Sequence, residues 1–288
     1  MIKNRKITLT FIIIGVLLLI FQALLIGIAA PREYWLVHEW IFYAINYAII
    51  SSLFFIGALS IGNKYTRRLL LLAGLVLLAI NTTFFYYMGD VNIVISKSED
   101  GQHEVILKEY KKMDYETVRI ERRGYIFGKR DAVLAGSSEY KTLEEETYKI
   151  EWPADDIAVL TYQTSDQETL DQQIFNFRSS DYVRYQNVAV GLLGKWIEQD
   201  NPENYFMSDN SEFVYAKDGE LYYYRIENTR QYGIFSLVIE GDETNPSLTL
   251  VLNQDSEFEG SGLIADGGTM TITPVSLEET ESDIYRKE

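Results

Sequence analysis

Residues 7–30 read ITLTFIIIGVLLLIFQALLIGIAA, and this stretch decides the architecture of the chain. A helix of this length reaches about 36 Å, which exceeds the roughly 30 Å hydrocarbon core of a bilayer. Two further apolar runs follow, at about residues 40–61 and 69–88. None of the three runs contains an acidic or basic residue or a histidine. The sequence therefore predicts a three-helix membrane anchor over residues 1–90.

The first run has the basic start of a signal peptide, with Lys3, Arg5 and Lys6 ahead of it. It is longer than the apolar core of about 7–15 residues that signal peptides carry, and Pro31 follows directly where cleavage would fall. We therefore expect it to be a retained helix.

Polar residues inside the three runs are few and uncharged. Because an unsatisfied polar group is costly in hydrocarbon, we expect each to bond a neighbouring helix. They are Gln22, Asn46, Ser51, Ser52, Asn81, Thr82 and Thr83.

Short-loop charges predict the orientation. Lys3, Arg5 and Lys6 precede the first run, and the loop between the second and third runs holds Lys64, Arg67 and Arg68. Basic loops stay in the cytoplasm. The prediction is a multi-pass cell-membrane protein with a cytoplasmic N-terminus and an extracytoplasmic region after about residue 90.

The composition of the region after residue 90 excludes some classes of partner and of chemistry. Residues 91–288 hold 19 Lys plus Arg against 39 Asp plus Glu, which argues against binding nucleic acid. The chain has no cysteine, which excludes disulfides, thiolate nucleophiles and Cys-ligated zinc. The expected partners are the membrane itself and either another membrane protein or an envelope ligand.

After residue 90 the pattern changes to short alternating runs separated by Gly, Asp and Asn, which is typical of an all-β region. The clearest hairpin has Asp218-Gly219 as its turn, because both residue types tolerate positive φ. Its register sets Tyr215 opposite Tyr222 and Phe213 opposite Tyr224. The predicted fold is an antiparallel sandwich or small barrel, with a β domain at 91–180 and a second β unit at 181–288 that ends in a frayed acidic tail.

Gly194-Lys195-Trp196, which opens the second run of strands, resembles the G-x-W start of lipocalin-like barrels. The resemblance implies that the tryptophan closes one barrel end and that the interior holds an apolar ligand. Fewer than eight strands are expected here, so a half-open barrel and a sandwich stay open. The stretch from Ser98 to Trp152 resembles the outer domains of Firmicute membrane-anchored proteins, which implies a compartment and no activity.

The inventory of catalytic groups is thin. There are two histidines, His38 and His103, and no serine lies in a G-x-S-x-G motif. Adjacent acids such as Asp155-Asp156 would point to opposite faces of a strand. Asn253, Asp255, Glu257 and Glu259 alternate as calcium ligands could, but they miss the spacing of an EF-hand. No catalytic residue, metal site or cofactor is predicted.

The 21 tyrosines offer flat surfaces for sugars or peptides. The candidate ligand-binding residues are Trp196, Phe213, Tyr215, Tyr222 and Tyr224.

These observations favour a non-enzymatic binding, sensing or accessory module anchored in a bacterial cell envelope. One alternative is a subunit of a larger membrane transport or secretion complex. A carbohydrate-active hydrolase that uses two carboxylates is the third hypothesis.

Overall fold

The computed structural model describes residues 2–136, 138, 140–167, 169–179, 185–209 and 211–288. These residues form two compact units. The helix–sheet unit comprises Met1–Ile95 and Val105–Glu146, and the barrel unit comprises Ser96–Glu104 and Thr147–Glu288. The limits differ from the predicted division, whose boundary near residue 180 falls on residues 180–184, outside the described part of the chain.

Three helices are long and apolar enough to cross a membrane, at Lys6–Arg32, Trp40–Ser60 and Lys64–Gly89. Helix α1 spans Ile2–Leu24 and continues through a π-helical turn and a short 3-10 turn to Arg32. Helix α2 spans Trp40–Ser60. Helix α3 spans Lys64–Phe84 and ends in a second π-helical turn at Gly89. The prediction of three membrane-length helices is confirmed.

Gln22, Asn46 and Asn81 bond across the bundle as predicted, whereas the hydroxyl of Thr83 donates to the carbonyl oxygen of Ala79 in its own helix. Gln22 Nε2 donates to Asn46 Oδ1 at 3.0 Å, and Asn81 Nδ2 donates to the carbonyl oxygen of Tyr43 at 3.3 Å. Gln22 and Asn81 are buried. These hydrogen bonds join α1 to α2 and α2 to α3.

A five-stranded antiparallel sheet belongs to the helix–sheet unit and has the order β1-β5-β4-β3-β2. Its edge strand β1 forms in the loop between α1 and α2, and Tyr34 pairs with Lys129 of β5. Val37, Ile106, Val118 and Ile120 form its buried core. The strands are β1 Tyr34–Leu36, β2 Val91–Lys97, β3 Glu104–Tyr110, β4 Val118–Arg123 and β5 Phe127–Val133.

Lys108 on β3 is a fully buried lysine. Its Nζ donates to the carbonyl oxygen of Leu36 at 3.1 Å and to the carboxylate of Glu39, which also accepts from the hydroxyl of Tyr110 at 3.1 Å. Burial lowers the pKa of Lys108, and the Glu39 carboxylate offsets part of that effect. Several of the basic residues between positions 108 and 130 form ion pairs with acids of the same unit, among them Lys108, Lys111, Arg119 and Arg123.

The barrel unit is built on a nine-stranded antiparallel sheet with the order β12-β11-β10-β9-β17-β16-β15-β14-β13. Every neighbouring pair is consecutive in sequence except β9 and β17, the first and last strands of the run. The one-turn helix Ile226–Asn228 joins the two edge strands, β12 and β13, so the sheet is a nearly closed barrel. Its strands are β9 Gly194–Glu198, β10 Tyr205–Ser208, β11 Glu212–Lys217, β12 Glu220–Arg225, β13 Thr229–Tyr232, β14 Ser236–Ile239, β15 Leu248–Leu252, β16 Thr269–Pro274 and β17 Asp283–Lys287.

A three-stranded sheet shares the barrel's hydrophobic core. It consists of β6 Tyr148–Ala154, β7 Ile157–Gln163 and β8 Leu170–Asn176. Ile157, Val159 and Ile174 belong to the same buried cluster as the barrel residues. Strand β8 has a polar sequence, and its backbone groups are satisfied by pairing with β7 along its whole length.

The Asp218-Gly219 hairpin is confirmed in register, with Tyr215 opposite Tyr222 and Phe213 opposite Tyr224. Both turn residues have positive φ, 53° and 86°. The predicted frayed tail is corrected, because β17 lies between β9 and β16 and its Tyr285 is fully buried. Cross-strand hydrogen bonds on both sides hold this charged segment in the middle of the sheet.

Candidate functional site

Four of the five predicted binding residues lie in the barrel core. Trp196, Phe213, Tyr215 and Tyr224 are buried, whereas Tyr222 is half-buried. The indole Nε1 of Trp196 donates to the carbonyl oxygen of Leu192 at 2.8 Å, which satisfies its only donor inside the core. Trp196, Phe213 and Tyr224 therefore have packing roles, and the structure brings Tyr215 and Tyr222 to a surface cleft.

The cleft opens at one end of the barrel and has a volume of about 640 Å³. Strand ends form its wall: β9 and β11 where they finish, and β12 and β17 where they start. The rings of Tyr215 and Tyr222 stack with centroids 6.0 Å apart. The lining residues are Glu198, Asp200, Tyr215, Lys217, Asp218, Tyr222, Pro246, Pro274, Thr280, Glu281 and Asp283.

Lys217 bridges two carboxylates at the base of the cleft. Its Nζ lies 2.9 Å from Glu198 Oε2 and 2.7 Å from Asp283 Oδ2. Glu198 is buried and also accepts from Asn204 Nδ2 at 2.8 Å and from the hydroxyl of Tyr285 at 3.1 Å. This network joins β9, β11 and β17, so the position of each charge is fixed by the barrel itself.

The charge states follow from these contacts. Burial alone would lower the pKa of Lys217, but its hydrogen bonds to Asp283 and Glu198 outweigh burial and raise that pKa. Lys217 therefore stays cationic and is not available as a base. Burial raises the pKa of Tyr215 and of Tyr285, so both hydroxyls stay protonated at neutral pH.

Five acidic side chains and one lysine line the cleft, which leaves it negative. A concave wall of one charge sign concentrates ions of the opposite sign. Sequence reasoning found Tyr215 and Tyr222 through the hairpin register and missed Glu198, Lys217 and Asp283. Their positions in sequence gave no signal, because only barrel closure brings β9, β11 and β17 side by side.

No group of three or more His, Cys, Asp or Glu side chains is placed to hold a metal ion within the part of the chain that the structure describes. His103 stacks on Phe177 with ring centroids 4.9 Å apart. Asn253 and Asp255, from the stretch considered for calcium, accept hydrogen bonds from Thr271 and Thr269.

A scan against protein-family models finds no match to this chain, and searches of curated proteins and of solved structures find none either.

Proposed function

We propose that this chain is a non-enzymatic, membrane-anchored binding module of the bacterial cell envelope, with its β region outside the cytoplasm. The barrel cleft holds the ligand. The observation that carries the proposal is the stacked pair of Tyr215 and Tyr222 on the wall of an open, negatively charged cleft.

The cleft favours a ligand that carries positive charge. Glu198 and Asp283 share Lys217, whereas Asp200 and Glu281 have no ion-pair partner among the described residues. A cationic group is attracted by such carboxylates and by the face of a tyrosine ring. An amine-bearing ligand, such as a basic peptide segment, fits both features.

The helices support the role of an anchor. Gln22 Nε2, Asn46 Oδ1 and Asn81 Nδ2 form hydrogen bonds within the bundle. Most of the remaining side chains on α1 are exposed and apolar, as for a helix that faces lipid.

Ligand binding can be tested with the full chain in nanodiscs. The probes are tetralysine and an uncharged oligosaccharide, titrated by calorimetry at low and high salt. We expect tetralysine to bind, to weaken as salt rises, and to lose about tenfold in affinity in Tyr222→Ala, because about 1.4 kcal/mol corresponds to a factor of ten. Tyr223→Ala is the matched control, since Tyr223 is exposed on the opposite face of the same strand. Equal affinities of the two variants would contradict the assignment.

Orientation can be tested because the chain lacks cysteine. A single cysteine placed by Tyr125→Cys would sit at a position that is 97% exposed, and Tyr65→Cys would sit at the start of α3. A membrane-impermeant maleimide should label the first in intact cells and the second only after permeabilisation. The reverse pattern would place the β region in the cytoplasm.

A further inference from the structure

A second, apolar cavity lies in the helix–sheet unit. It has a volume of about 260 Å³ and is found where α1 ends and α2 begins. Its aliphatic side comes from Leu25, Ile26 and Ala30, and Phe42 lies near the start of α2. Since the membrane-length segments end at Arg32 and begin again at Trp40, this groove opens at the level of a bilayer surface.

A mostly aromatic cavity of about 240 Å³ adjoins the groove, and Glu116 and Arg130 form its polar side. Trp35 and Tyr110 line both cavities, so this aromatic pair separates them. On the polar side, the exposed Arg130 of β5 places its guanidinium 5.9 Å from the centroid of the Trp35 ring. The lining is therefore aliphatic at the end of α1, aromatic at Trp35 and Tyr110, and charged at Glu116 and Arg130.

Arg130 differs in its contacts from Lys108 and Arg119. Lys108 and Arg119 are neutralised by Glu39 and Asp131. Within the described part of the chain Arg130 forms no ion pair, although Glu116 lines the same cavity. Arg130 is thus a positioned cation without a counter-ion, and a phosphate is the anion that a guanidinium binds best at a membrane surface.

Arg130 lies on the strand next to the segment that joins α1 to α2. Strand β1 joins α1 to α2 within a few residues, and β5 is its hydrogen-bonded neighbour. Adjacent strands lie about 4.8 Å apart. The headgroup layer on each side of a bilayer is about 5–7 Å thick. Because β5 is one strand spacing away from the segment that joins the two helix ends, the Arg130 side chain is within reach of that layer.

We propose that this groove binds one phospholipid from the leaflet on the β-sheet side. An acyl chain lies against Leu25, Ile26 and Phe42, the glycerol region lies beside Trp35, and the phosphate contacts Arg130. The bilayer in which the groove opens supplies the occupant, and the site is independent of the proposed ligand of the barrel.

The test uses the full chain purified in a phosphate-free detergent and titrated with phosphatidylglycerol under native mass spectrometry. We expect one lipid to bind per wild-type chain with a distinct first affinity. Arg130→Gln should weaken that first step about tenfold, and Ala30→Trp, which fills the groove, should abolish it. Arg123→Gln is the matched control, because Arg123 is exposed, pairs with Glu121 and lines neither cavity.

Two further measurements make the outcome decisive. Inorganic phosphate should not compete with the lipid at millimolar concentration, and the thermal unfolding midpoint of Arg130→Gln should equal that of Arg123→Gln. Competition by inorganic phosphate would overturn the lipid assignment. Equal lipid affinity of Arg130→Gln and Arg123→Gln would do so too, as would a polypeptide found in the groove instead of a lipid.

Discussion

Replacing Glu39 by glutamine should destabilise the helix–sheet unit more than the loss of any surface ion pair. Lys108 has no exposed surface, and Glu39 is its only carboxylate partner among the described residues. In Glu39→Gln the ammonium stays buried without a counter-charge. The substitution thus isolates the cost of an uncompensated charge from the cost of lost packing.

The size of the loss in unfolding free energy depends on the contacts that Lys108 keeps in Glu39→Gln. Removing one partner of a buried pair costs about 3–5 kcal/mol. The Glu39 side chain is 19% exposed, and Lys108 keeps its hydrogen bond to the carbonyl oxygen of Leu36 at 3.1 Å. We therefore expect a loss at the low end of that range, about 3 kcal/mol. For a unit of this size the melting temperature should fall by roughly 5–10 °C.

The loss of stability in Glu39→Gln should depend on pH. The pKa of Lys108 is already lowered by burial, and losing the Glu39 charge lowers it further. Below the unfolded pKa of about 10.4 the unfolded chain then binds more protons than the folded one. Stability of the variant therefore rises relative to wild type as pH increases from 7 to 10.

The assay is thermal unfolding of the full chain in nanodiscs, followed by tryptophan fluorescence at pH 7 and pH 10. Asp90→Asn is the control, because Asp90 pairs with Lys111 in an exposed bridge and should cost at most about 1 kcal/mol. The double variant Glu39→Leu with Lys108→Met should recover most of the loss. Equal melting temperatures of Glu39→Gln and Asp90→Asn, or a deficit that grows with pH, would refute the reasoning.

Three further predictions concern the barrel unit. Trp196→Ala should cost about 3–5 kcal/mol in urea unfolding, because the indole is fully buried. Burial would raise the pKa of Asp156, but the hydrogen bonds and charge of Arg178 outweigh burial and lower that pKa. The stability that the Asp156–Arg178 pair contributes is therefore present above about pH 4 and lost on further acidification. Asp156→Asn should lack this step when the melting temperature is measured against pH. Deleting residues 283–288 should abolish the cooperative unfolding transition of the barrel, whereas Ile284→Ser on the exposed face of β17 should change stability by less than about 1 kcal/mol.

Local signals in the sequence predicted the elements that depend on local physics. The apolar runs predicted the three helices because a helix satisfies all the backbone hydrogen bonds of an apolar segment within the segment itself. Asp218-Gly219 predicted its hairpin and register because few other dipeptides adopt two positive φ angles in succession.

The missed elements depend on distant partners. Strand β17 exposes Ile284 and buries Lys287, which reverses the usual pattern. Gln172 of β8 is buried because Thr161 and Thr249 satisfy its amide. The same local reasoning identified the two tyrosines of the cleft, Tyr215 and Tyr222. The charged side chains Glu198, Lys217 and Asp283 come together only because the barrel closes.

The three-residue strand between α1 and α2 has a mechanical consequence. Because β1 is covalently joined to both helices and hydrogen-bonded along β5, a force applied to the sheet is divided between two membrane segments. A tilt of either helix would in turn displace Tyr34 or Leu36 against their partners on β5. Movement of one membrane-length helix against the other would thereby strain the sheet through a few backbone hydrogen bonds.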